Sequence, residues 1–145
     1  MKPLSTSLTL NTTTAFLGGV AVVQAVAALK TSGDSSQANA LGACVCVVAF
    51  LHYTWMRGSS DAAERIRLRY GDWVVTCPLL LWELQSITGV QGQEWALGFT
   101  VLMVLLGYAA VRSDGWRRHV LFVISSLVLA TIVVGTLSGA RRNRE

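Results

Sequence analysis

RYGDWVVTCPLLLWEL, residues 69–84, is apolar enough to enter a membrane, yet it holds an arginine, an aspartate and a glutamate. Ionisable groups inside hydrocarbon are costly, and where they occur they usually serve a function. Their spacing gives the first clue. Asp72 and Thr76 are four residues apart, about one helical turn, and Asp72 and Glu83 are eleven apart, about three turns. All three therefore return to nearly one face of a helix, with Arg69 one turn before Asp72. At a rise of about 1.5 Å per residue, Asp72 and Glu83 stand roughly 16 Å apart along the axis, about half of a ~30 Å hydrocarbon core. A cation, a carboxylate, a hydroxyl and a second carboxyl in one column form a proton ladder in outline.

The surrounding chain has the composition of a membrane protein. Its 145 residues are 52% hydrophobic and 14% charged, whereas soluble domains carry about 25% charged residues. Mean hydropathy is +0.50. Apolar runs place five spans at about 12–29, 38–56, 69–86, 95–111 and 119–137, one all-α transmembrane domain over residues 1–145. Polar segments at 31–37, 57–68, 86–93 and 112–118 read as loops, and Asp61, Glu64, Arg65 and Arg67 as solvated surface. The net charge of +4 comes largely from arginines in loops and at helix ends. That distribution suits anchoring at a lipid bilayer and gives no reason to expect a nucleic-acid partner. Cys44, Cys46 and Cys77 sit in apolar runs without zinc-ligand spacing, and read as small core residues. Gly18 and Gly19 suit close helix contact. Ser125 and Ser126 face either the bundle or their own backbone.

Two motifs in order carry a resemblance. One is Arg69-Tyr70, Asp72-Trp73, Thr76, Pro78-Leu79-Leu80-Leu81 and Glu83. The other, preceding it, is His52-Tyr53 followed by Trp55-Met56-Arg57-Gly58. Together they resemble the third helix and the end of the second helix of microbial (type I) rhodopsins, the retinal-bearing ion pumps and sensors, and within them the proteorhodopsin group. The resemblance implies a partial seven-helix, bacteriorhodopsin-like bundle in the cell membrane, a multi-pass ion transporter or photoreceptor rather than an enzyme. It implies that Asp72 is the Schiff-base counterion and proton acceptor, with Thr76 bonded to it and His52 as its partner. Arg69 would hold the release side, and Glu83 would be the proton donor. Tyr70, Trp73, Cys77, Leu80, Met103 and Gly107 match positions around retinal, the implied cofactor.

The resemblance covers the family's first five helices. The sixth and seventh, with the lysine that holds retinal, have no counterpart here, and the two lysines are Lys2 and Lys30. Neither can reach a mid-membrane pocket, so this polypeptide is expected not to form the covalent pigment alone. A truncated rhodopsin is the first expectation, with another chain supplying the missing helices as a candidate partner and a homo-oligomer anticipated. A retinal-free five-helix scaffold or oligomer subunit is the alternative. The family's outside N-terminus would place most arginines outside, against the positive-inside tendency. It is adopted because acceptor and donor are correctly ordered only that way.

Overall fold

A computed structural model describes residues 4–90 and 93–142, with side chains from residue 8 onward. Lys2, and Gln91 and Gly92 of the expected 86–93 loop, lie outside the described residues. Five helices follow one another: α1 (Leu4–Lys30), α2 (Asp34–Gly58), α3 (Ala62–Thr88), α4 (Glu94–Arg112) and α5 (Trp116–Arg142). Packing follows chain order, α1 on α2, α2 on α3, α3 on α4 and α4 on α5, as short connections between antiparallel neighbours require.

Four helices, α1, α2, α4 and α5, are long and apolar enough to cross a membrane. α3 has the length, 27 residues, but its polar column makes it less apolar than the others. The helices also run beyond the expected spans, most of all at α1 and α3, by nine residues each. The charged segment 57–68 was expected to be a loop, yet its second half is helix. Asp61 explains this, because its carboxylate accepts hydrogen bonds from the Ala63 and Glu64 amides at 3.0 and 3.3 Å. Those amides have no partner inside the helix, so the cap stabilises an early start. α3 then continues through Pro78, whose missing N–H leaves the Val74 carbonyl without its helical donor. It stops at Gly89, where φ is +67°, a backbone conformation that costs a side-chain-bearing residue much more than glycine.

What is buried and what is exposed match a lipid solvent. Large apolar side chains such as Phe16, Val22, Leu29, Phe122 and Leu127 are exposed. The buried set is dominated by small residues: Ala21, Ala38, Ala49, Ala96 and Ala110, with Thr14, Thr100 and Thr136. Small residues let helix backbones approach where no water exists to drive association. Of the glycine pair in α1, Gly18 faces α2, and a Cβ there would lie 3.3 Å from the Phe50 ring; one on Gly19 would meet nothing within 4 Å. The tightest contact with a rigid side chain is at Gly135 of α5, where an added Cβ would lie 2.8 Å from Trp95 of α4. Gly135→Ala should therefore destabilise the α4–α5 pair by about 1–3 kcal/mol, the usual cost of overpacking. Thermal unfolding in detergent, compared with Gly19→Ala, measures it.

Candidate functional site

α3 carries two separate functional stripes. Asp72, Thr76 and Glu83 lie within about 40° of one another around the helix, while Tyr70, Trp73 and Cys77 lie roughly 100–160° away from Asp72. The first stripe meets α2, and the other faces α4 and α5.

On the first stripe, Asp72 is 3% and Thr76 4% exposed. Thr76 Oγ1 donates to the Asp72 main-chain carbonyl at 2.9 Å. The Asp72 carboxylate keeps one buried oxygen, Oδ1, without a hydrogen-bond partner. A buried carboxylate oxygen without a donor is costly, and such atoms call for an explanation such as a catalytic role. His52 of α2 supplies part of it. Its Nδ1 is 2.9 Å from the Val48 carbonyl, and because a carbonyl can only accept, Nδ1 carries the hydrogen. Nε2 is then left to face α3: a Cβ built on Gly71 would stand 3.6 Å from it. The imidazole is close enough to act electrostatically on Asp72. His52 also packs edge-on against Trp55, with centroids 5.4 Å apart, so its ring is oriented from two sides.

Glu83 is half-buried and within electrostatic reach of Cys46 of α2. Both carboxylates thus turn toward α2, on one flank of α3. Arg69 is exposed, and among the described residues it forms no ion pair with Asp72. A structural Arg69–Asp72 pair therefore does not account for the buried carboxylate.

The second stripe forms the wall of a cavity of about 410 Å³ between α3, α4 and α5. Five of the six sequence-derived cofactor positions line it: Tyr70, Trp73 and Cys77 from α3, Met103 and Gly107 from α4. Leu80 is not among them; it is 49% exposed on the outer surface. The aromatic end is ordered, with Tyr70 against Trp73 at 5.2 Å and Tyr108 at 5.3 Å, separations that suit offset aromatic packing. Gly107 leaves a gap there: a Cβ on it would be 3.4 Å from Tyr70 Cε1 and 3.7 Å from Ser125 Oγ. Ser125 ties α5 to α4 by donating to the Met103 carbonyl at 2.9 Å, while Ser126 donates to Phe122 of its own helix. The sequence reading missed Ser125 as a wall residue, since nothing in the Ser125-Ser126 pair says which one faces inward. It also missed Arg118, His119 and Phe122, which line the same cavity.

The sequence model of the bacteriorhodopsin-like protein family matches residues 2–145. Among similar proteins, sensory rhodopsin-1 of Halobacterium sp. (strain SG1) is 32% identical over 127 residues, 81% of this chain and 51% of that protein. The sensory rhodopsin of Halorubrum sodomense is 35% identical over 123 residues, 78% of this chain and 47% of its own length. The bacteriorhodopsin of Haloterrigena sp. (strain arg-4) is 39% identical over 82 residues, 52% of this chain and 33% of that protein. The chain spans about half the length of the first two of these relatives.

Proposed function

Because the chain belongs to the bacteriorhodopsin-like protein family and is a multi-pass membrane protein, we propose that it is the five-helix part of a retinal-dependent, light-driven outward proton pump. The observation that carries this reading is the buried Asp72 carboxylate with one unpartnered oxygen, turned toward His52 on the same flank as Glu83.

The residues present fit retinal. The α3–α4–α5 cavity is walled by flat and apolar groups, within the roughly 300–1,000 Å³ of small-molecule sites. Tyr70, Trp73, Cys77, Met103 and Gly107 would hold it, with Gly107 leaving the room beside Tyr70. Retinal would supply light absorption and a light-triggered change in the affinity of a bound proton. Asp72 takes up a proton at Oδ1. His52, with Nδ1 committed to Val48, presents Nε2 to α3, where a proton on Nε2 would let it donate to the Asp72 carboxylate and steady its charge. Glu83 gives up a proton from the other end of the column. Thr76 keeps α3 regular beside Asp72 by bonding its main-chain carbonyl. Arg69, exposed on α3, would hold the release side. Lys30, the lysine among the described residues, closes α1 and does not line the cavity.

A light sensor is the alternative reading, favoured by two relatives that are themselves named sensory rhodopsins. Both readings require pigment. Producing the chain together with a segment that supplies the remaining helices and a lysine, then adding all-trans retinal, should give a visible absorption band. Gly107→Leu should weaken retinal uptake at least tenfold by filling the gap beside Tyr70. No band under any supplementation would leave the retinal-free five-helix scaffold instead.

A further inference from the structure

Gln24 is a polar side chain inside the membrane-spanning part of α1, and the proton path described above does not use it. A polar group at that depth usually has a partner and a function. Its amide lies on Gly42, a buried residue of α2. A Cβ built on Gly42 would stand 2.8 Å from Gln24 Cδ and 3.0 Å from Nε2, so glycine is what leaves the amide its place. Among the described residues Gln24 makes no hydrogen bond.

The register of α2 against α3 says what the amide is level with. A Cβ on Gly71 of α3 would be 3.6 Å from His52 Nε2 of α2, which sets those two positions opposite one another. The helices run antiparallel, so ten residues back along α2, at Gly42, corresponds to ten residues on along α3, at Leu81. Glu83 therefore stands within about 3 Å of Gly42 in height. Gly42 also precedes Cys46 by one turn on the same face of α2, and Cys46 is within electrostatic reach of Glu83. Gln24 and Glu83 are both half-buried and both long. A protonated carboxyl offers one donor and one acceptor, and a primary amide offers both, so the two match edge to edge. Apart, each would leave polar atoms without partners in an apolar setting, which is costly.

We propose that Gln24 is a positioning residue for Glu83: its amide reaches across Gly42 and hydrogen-bonds the protonated carboxyl, fixing the proton at that end of the column. Its part in proton supply rests on the pump reading, whereas the contact itself needs no pigment.

The test uses the purified 145-residue chain in phosphatidylcholine nanodiscs, without retinal. Infrared spectra across an acid titration give the C=O stretches of the protonated carboxyls, and the band lost in Glu83→Gln belongs to Glu83. Gln24→Met keeps the length of the side chain and removes its hydrogen bonding. It should move the Glu83 band to higher frequency, as for a carbonyl freed from a donor. The Asp72 band, identified by its loss in Asp72→Asn, should stay where it is. Gly42→Ala should displace the amide and give the same shift from the α2 side. A Glu83 band that stays put in either variant, an equal shift of the Asp72 band, or no band lost in Glu83→Gln would overturn the proposal. Failure of the pump reading is seen separately, in the assembled protein, as a missing visible band or missing acidification.

Discussion

Asp72→Asn should abolish light-driven proton release from the assembled pigment, a loss of at least about 10²-fold, the lower end of what a positioned proton-accepting group contributes. Asparagine keeps the shape of the side chain, so packing against α2 is preserved. It cannot take up a proton at the atom that is Oδ1 in the aspartate. The unpartnered Oδ1 is the atom at which Asp72 would be protonated, and the amide removes that basic oxygen. Folding should not suffer: removing a carboxylate from an apolar interior is neutral or stabilising when its partner is not left as an unpaired charge. The measurement is acidification outside illuminated vesicles, with helix content by circular dichroism as the folding control. Transport that survives Asp72→Asn removes Asp72 as the acceptor.

The helical repeat made part of this site legible in the primary structure. A spacing of eleven residues brings Asp72 and Glu83 to one flank whatever the neighbours are, and the structure has both turned toward α2. The same repeat does not set Leu80 apart, since residue 80 lies about 20° from residue 73 around the helix. Leu80 lies beyond Cys77 along the axis, outside the cavity lining, and is 49% exposed. Resemblance to a family matched its position in the chain; this bundle's geometry decided its surroundings. The start of α3 was misread for a different reason. The segment 57–68 is charged and resembles a loop in composition, while the deciding feature was a single aspartate capping the amides of Ala63 and Glu64. Arg118 and His119 went unread because a basic turn at a membrane edge is ordinary. That they line the cavity depends on α3 and α4, which build its other walls from earlier parts of the chain.

Glu83→Gln should slow recovery of the pigment after a light flash by about 10²-fold at neutral pH, again the scale of a lost proton-transferring group. Glu83 stands roughly 16 Å from Asp72 along α3 by helical rise, so the two carboxyls cannot exchange directly and must serve opposite ends of one path. Glutamine preserves size and polarity but has no proton to give. Proton supply must then come from water by a slower route, and a permeant weak acid added to the medium should restore the rate in proportion to its concentration. A merely structural role for Glu83 would show no such rescue. The experiment also separates pump from sensor. A pump needs recovery to keep pace with repeated turnover, so Glu83→Gln should cut steady-state acidification under continuous light along with the recovery rate. A sensor has no net transport to lose. If the parent protein shows a normal flash response but no steady acidification, and Glu83→Gln changes neither, the carboxyl on the third turn beyond Asp72 is not a donor and the light-sensor reading stands in place of the pump.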